Sequence, residues 1–299
     1  MIRPESGQLA LIACILEATA RKPGNVHRFR DFDGAHYLDF VISAAAIGEH
    51  LRGDRVRELG VGRVVLDAIR ATRTLVGHNT NLGMVLLLAP MVGVPEGEGL
   101  RDGLRRVLRG LTVGDARAVY EAIRLAKPGG LGTASDQDVS GEPTVTLLEA
   151  MRLAADRDAV ARQYAGDYAE VFDIGLPALG GALARSRSLE TSIVACHLAL
   201  MARCPDSLIA RKLGAEAARE SARLAGTVLS SGWPDAPGSN NRLVEFDAWL
   251  RADGHRRNPG TTADLVCASL YAALRDGVVA LPLAWEAPAS SEALPAYLG

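Results

Sequence analysis

The sequence predicts an all-α protein: a single-domain bundle of many helices, with its functional site at the loops where helices break. Three observations lead there. Apolar residues recur at helical spacing along most of the chain, and no convincing series of alternating apolar and polar residues marks a strand. Aromatic residues, which strands favour, make up only 5% of the chain. Helix-stopping residues punctuate the periodic stretches at Pro23-Gly24, Val94-Pro95, Lys127 to Gly132, Pro234 to Gly238 and Asn258-Pro259-Gly260. Proline there disfavours helical backbone in the residue before it, and glycine accepts unusual φ.

In chain order, helices are expected over 5–20, 37–52, 56–75, 80–93, 98–109, 113–126, 143–156, 167–185, 189–203, 206–231, 241–253 and 260–276. Thr112 and Ser207 read as caps. Asn240 precedes a helix that carries Leu243, Phe246, Trp249 and Leu250 on one face. The helical domain is expected to span 1–284, with 285–299, rich in Ala, Pro and Ser, as a C-terminal extension. No fixed-period repeat appears apart from a doubled Lys-Pro-Gly.

Composition narrows the function. With 299 residues, 48% of them hydrophobic, the chain can bury a substantial core. A formal charge of −2 and a pI near 6.3 leave no overall positive field for nucleic acid or an anionic membrane. The longest apolar run, Leu82 to Val94, is interrupted by Gly and Pro and falls short of the roughly 20 residues that cross a bilayer. Cys14, Cys196, Cys204 and Cys267 form no CxxC pair, and no signal peptide is evident; reduced core thiols in a cytoplasmic protein are expected. Small-molecule partners follow, and the Ala- and Leu-rich helix surface is compatible with a homodimer.

Five breaks concentrate polar residues unusual for helix interiors. In the first, "LEATARKPGNVHRFRDFDGAHYLDF", Lys22 is one of only three lysines; Gly24, Asn25 and His27 follow it, Glu17 precedes it, and Asp33, His36 and Asp39 come after. A lysine at such a turn approaches phosphate as a point charge, or merely ends a helix where the macrodipole favours a cation. In the second, "GHNTNLG", Asn79, Thr80, Asn81 and Gly83 either cap a helix or offer an anion-binding end. The third, "AKPGGLGTASDQDV", couples Lys127 and a glycine-rich loop to Asp136 and Asp138, two carboxylates fit for Mg²⁺ beside phosphate, with a solvated surface loop as the alternative. The fourth, "CPDSLIARK", holds Asp206 and Arg211; the fifth, "RRNPGTTADL", holds Asn258, Gly260, Thr261 and Asp264. Both read equally as capped helix starts. No Walker loop, GxGxxG, HExxH, GxSxG or zinc-like spacing is found, and His50, His197 and His255 lack companions.

Taken in order, these blocks resemble the triphosphoribosyl-dephospho-CoA synthase family. "LEATARKPGNV", "FDGAHYLDFVISAAAI", "NTNLG", "VFDIGLPAL", "HLALMARCPDSLIARK" and "NPGTTADLVCASL" resemble successive family blocks along nearly the whole chain. The resemblance implies transfer of the triphosphoribosyl group of ATP to 3′-dephospho-CoA with release of adenine, in prosthetic-group biosynthesis. It implies Lys22, Arg211 and, less directly, Lys127 as phosphate ligands. Asp33, Asp136 and Asp138 would serve Mg²⁺ or transition-state charge, and His27 or His36 would act as acid or base. Asn25, Asn79, Thr80 and Asn258 would orient ribose or phosphate, while Glu17, Gly24, Asp39, Asn81, Gly83, Asp206, Gly260 and Asp264 complete the substrate-binding set. The chain departs from the family at Asn81 and Leu82, where the family usually has His and Lys, so it reads as a divergent branch. Use of another nucleotide or acceptor, a nucleotide-binding protein without turnover, and a helical scaffold with mere caps are the competing readings.

Overall fold

The computed structural model describes residues 4–130, 132–185 and 187–285. Residues 286–299, most of the expected extension, lie outside the described residues. Among those described there are fifteen α-helices, one π-helical turn and no strand. The chain forms two compact units: residues up to Ile15 together with Leu38–Ala169, and Leu16–Tyr37 together with the residues from Glu170 onward.

The first unit holds most of α1 (Ser6–Thr19), then α2 (Tyr37–Gly48), α3 (Gly53–Leu59), α4 (Val61–Leu75), α5 (Leu82–Val92), α6 (Leu100–Arg109), α7 (Val113–Ala126), α8 (Leu147–Ala154) and α9 (Ala159–Ala165). The helix expected over 56–75 is two helices, α3 and α4, because Gly60 adopts φ +85° between them. Thr112 caps α7 as expected, in a reciprocal box with Asp115. Asp115 also accepts the Gly62 N–H at 2.7 Å, which draws α4 onto α7. A Cβ on Gly62 would come within 2.4 Å of the Asp115 carbonyl, so only glycine permits that approach.

Helix α5, apolar on every side, is almost entirely buried and contains Pro90. Proline supplies no N–H, so the Leu86 carbonyl loses its partner within the helix. The buried Tyr164 hydroxyl donates to that carbonyl at 2.6 Å, and Tyr168 donates to the Leu87 carbonyl at 3.0 Å. Helix α9, which carries Tyr164, was not expected from the sequence; it is seven residues long and begins at the Asp158 cap.

The second unit holds a π turn (Val171–Gly175) that leads into α10 (Leu176–Ala184), then α11 (Leu189–Arg203), α12 (Ser207–Leu213), α13 (Ala215–Ser230), α14 (Ser239–Arg251) and α15 (Gly260–Arg275). Helix α11 packs against α10, α13 and α15. Val194, Leu198, Met201, Ile209, Ala225, Leu243, Phe246 and Leu250 form its core. Of the face expected on α14, Trp249 is only partly buried. The helix expected over 206–231 breaks at Gly214, φ +90°, into α12 and α13. Ser207 is the first residue of α12 rather than its cap; Asp206 caps it. All four cysteines are buried thiols, none of them in a disulfide. Among the described residues no single helix is long and apolar enough to cross a membrane.

Candidate functional site

The first break shows why Lys-Pro-Gly follows α1. Lys22 folds back on the helix it leaves: its Nζ pairs with Glu17 at 2.9 Å and donates to the carbonyls of Glu17 and Ala20, with 0% of its side chain exposed. Burial raises the Glu17 carboxyl above its usual range, more than Lys22 lowers it. Lys22 therefore spends its charge inside the protein and presents none of it to solvent. Gly24, at φ +75°, sits so tightly that a Cβ would lie within 3 Å of Leu250 and Pro259. Its N–H donates to Asp247 at 2.7 Å, Asp247 holds the Arg251 guanidinium, and Arg251 donates to the Asn25 carbonyl at 2.7 Å. Asn25 in turn donates to Asn258 at 2.8 Å.

These bonds tie the first break to the fifth. The fifth is tied to the fourth by Asp206, which is wholly buried and caps α12 by accepting from the N–H groups of Leu208 and Ile209 at 2.8 and 3.0 Å. Its other oxygen accepts from the N–H and hydroxyl of Thr262 at 2.7 and 2.8 Å. Burial raises the Asp206 carboxyl although all four bonds favour its ionised form. Ser207 adds a bond to Thr261 at 3.1 Å. A Cβ on Gly260 would meet the Leu208 side chain at 2.6 Å, so α12 and α15 pack closely there. Arg211 and Asp264, both half-buried, belong to the same two helices.

Beyond Asn25 the chain makes two small antiparallel bridges, His27 with Arg30 and Phe32 with Ala35. His27 is buried, and its Nδ1 accepts the Phe29 N–H at 3.3 Å, which leaves the ring proton on Nε2. Burial, reinforced by Arg251, Lys22, Arg28 and Arg21, lowers its pKa to about 3, so His27 is a neutral donor at pH 7. Asp33 and Gly34 form the exposed tip of the second bridge. His36, also exposed, meets Asp31 at 3.2 Å, and the Tyr37 N–H donates to the same carboxylate at 2.7 Å. The Tyr37 bond first, then His36, hold Asp31 below the usual carboxylate range. Phe32 stacks on His255 with ring centroids 4.2 Å apart.

In the first unit the second break meets α2. The Thr80 and Ser43 hydroxyls share a hydrogen bond, and His78 faces Asp39 at 3.6 Å. Asn79 accepts the N–H of Leu82, the first residue of α5, at 3.1 Å, while Asn81, the N-cap, is buried and donates to Thr72 at 3.1 Å. Leu82 is buried and Gly83 is half-buried in the first turn. The third break differs from the first. Lys127 is an exposed helix end at φ +50°, not a buried ion pair. Asp138 turns its oxygens to the N–H of Ala134 and to the N–H and hydroxyl of Ser140 at 2.5–2.9 Å, and the Ser140 hydroxyl first among these holds its pKa down to about 2. Asp136 is exposed. Among the described residues no three His, Cys, Asp or Glu side chains form a preassembled metal cluster.

Sequence reasoning missed Arg21, Arg28 and Glu190, Asp31, and the Asp247–Arg251 pair. The last was legible as an acid and a base four residues apart on α14. Glu190, in the first turn of α11, carried no comparable signal.

The fold is similar to a solved structure from Archaeoglobus fulgidus, provisionally named a triphosphoribosyl-dephospho-CoA synthase. The TM-score is 0.61 at 24% identity, over 79% of this chain and 98% of that one. No curated protein sequence matches. The chain belongs to the CitG family, ATP:dephospho-CoA triphosphoribosyl transferase, which it matches over residues 4–281. The family reaction moves the triphosphoribosyl group of ATP to dephospho-CoA.

Proposed function

We propose that the loop from Asn25 to Asp39 carries the proton transfers of this reaction, with ATP as donor and 3′-dephospho-CoA as acceptor. The bond from C1′ of the ATP ribose to adenine breaks through an oxocarbenium-like state, and an acceptor ribose hydroxyl bonds to C1′. The hydroxyl proton leaves as adenine gains one, so the exchange is proton-neutral. His36 is the acid–base group, and Asp31 orients its ring. Neutral His27, Asn25 and Asn258 hydrogen-bond ribose or phosphate. Asn79, Thr80 and Asp39 act as binding groups in the first unit, and Arg211 and Lys127 contact phosphate.

Asp33 or Asp136, both exposed, would hold a Mg²⁺ ion carried by the triphosphate, and the ion would supply neutralisation of phosphate charge. Lys22, Asp206 and Asp138 hold structure rather than substrate. The four buried cysteines, outside any disulfide, support a cytoplasmic setting.

The observation that carries this reading is the hydrogen-bonded chain from Gly24 through Asp247, Arg251 and Asn25 to Asn258, which fixes the loop that bears His36 and Asp33. The buried Leu82, in place of the usual lysine, supports a second reading in which the acceptor differs from 3′-dephospho-CoA. Adenine release from ATP and Mg²⁺, with and without 3′-dephospho-CoA, separates the two. His36→Asn is expected to lower kcat about 100-fold with an unchanged melting temperature. Full turnover in that variant removes His36 from the mechanism, and full turnover in Asp33→Ala removes Asp33.

A further inference from the structure

Arg21 and Arg28 converge on one carboxylate. Arg21 grips Glu190 through Nε at 3.1 Å and Nη2 at 2.8 Å, and its backbone N–H adds a third bond at 3.1 Å. Arg28 grips the same two oxygens through Nη1 at 2.6 Å and Nη2 at 3.1 Å, and Nη1 also donates to the Thr19 carbonyl at 2.9 Å. Burial would raise the Glu190 carboxyl, but the bonds from Arg21 and Arg28 outweigh it and hold it below its usual range, so Glu190 is ionised. One negative charge thus faces two positive ones. Glu190 neutralises one of the two guanidiniums, so the cluster keeps a net positive charge.

The second guanidinium is also the accessible one. Arg28 keeps 23% of its side chain exposed, whereas Arg21 keeps 10%. It lies over the Phe29 ring at 4.6 Å and the Trp285 ring at 5.3 Å, so two aromatic faces and Glu190 fix its plane. Phe29 itself is 56% exposed, which places this aromatic and cationic corner at the surface of the second unit. A rigid guanidinium at the surface, beside a second cation and with its plane set, suits the oxygens of a phosphate.

We propose that Arg28 binds a phosphate group of an adenine-nucleotide substrate and that Glu190 is the positioning residue that aims it. This inference rests on the reaction proposed above. Both substrates carry phosphates, and the two are told apart by titrating each alone.

The test compares wild type, Arg28→Gln, Arg28→Lys and Glu190→Gln. Inorganic tripolyphosphate and 3′-dephospho-CoA are titrated separately by calorimetry, and adenine release is followed alongside. Arg28→Gln is expected to weaken one ligand about tenfold and to raise KM for the matching substrate by a similar factor, with kcat within about twofold. Loss of tripolyphosphate binding assigns the subsite to ATP; loss of dephospho-CoA binding assigns it to the acceptor. Arg28→Lys keeps the charge without the fork and is expected to raise that KM about threefold. Glu190→Gln leaves two guanidiniums without their anion and is expected to raise KM, not lower kcat, by about threefold.

Unchanged affinity for both ligands in a folded Arg28→Gln protein overturns the proposal. Should that variant not fold, an unchanged KM in Arg28→Lys does the same. Wild type that releases no adenine yet loses tripolyphosphate binding on Arg28→Gln refutes the proposed reaction and leaves the phosphate subsite standing.

Discussion

Replacement of Asp206 by alanine separates a structural from a substrate-binding carboxylate. The side chain is wholly buried and accepts four hydrogen bonds, two from the first turn of α12 and two from Thr262 at the start of α15. Loss of the helix cap costs about 1 kcal/mol. The Thr262 N–H and hydroxyl lose their acceptor in a buried place, which adds about 1–3 kcal/mol. The sum is about 3 kcal/mol, which lowers the melting temperature of a chain this long by about 6–12 °C. Thermal unfolding read by circular dichroism measures it, and KM for ATP is taken well below the transition. In a Thr262→Val background the cost of Asp206→Ala should fall by about 1 kcal/mol, because one orphaned donor is already gone. A melting temperature within about 2 °C of wild type, joined to a large rise in KM, would refute the reasoning and return Asp206 to the substrate-binding residues.

Other outcomes follow from the same bonds. Lys22→Met strands the buried Glu17 and is expected to cost about 3–5 kcal/mol by urea unfolding, most of it recovered by adding Glu17→Gln. The Glu17 carboxyl is already raised in the folded state, so its ionised form opposes folding. Its stabilising share is complete below the unfolded carboxylate range and is lost as pH rises through the folded value; without Lys22 the folded value rises further and that loss moves to higher pH. Tyr164→Phe leaves the Leu86 carbonyl unsatisfied and should cost about 1–3 kcal/mol in the same assay. The cost shrinks in a Pro90→Ala background, where the restored N–H can reach that carbonyl. Asp138→Ala should loosen its loop without changing the Mg²⁺ dependence of adenine release, since its oxygens already serve Ala134 and Ser140.

Helix positions were legible wherever the signal was local. Thr112 with Asp115 three residues on marks the start of α7, and the stretch 189–203 falls where α11 lies, because caps and apolar periodicity act within one or two turns. The errors are local too. Gly60 and Gly214 each carry a positive φ that a periodicity window reads straight through, and α9 is too short for its pattern to rise above the background. Among the polar residues, types and segments were legible but not duties. Lys22 and Lys127 sit in the same tripeptide, yet one is a buried partner of Glu17 and the other an exposed helix end.

The amino-acid order alone determined the helical class, most helix boundaries and the family, since these rest on short-range spacing and on motifs held in sequence. Which charges meet was decided only by tertiary packing. Glu190 lies 169 residues from Arg21 and 162 from Arg28, and Asn258 lies 233 from Asn25. A charge's worth depends on what desolvates and faces it, and those neighbours come from elements that no local pattern links.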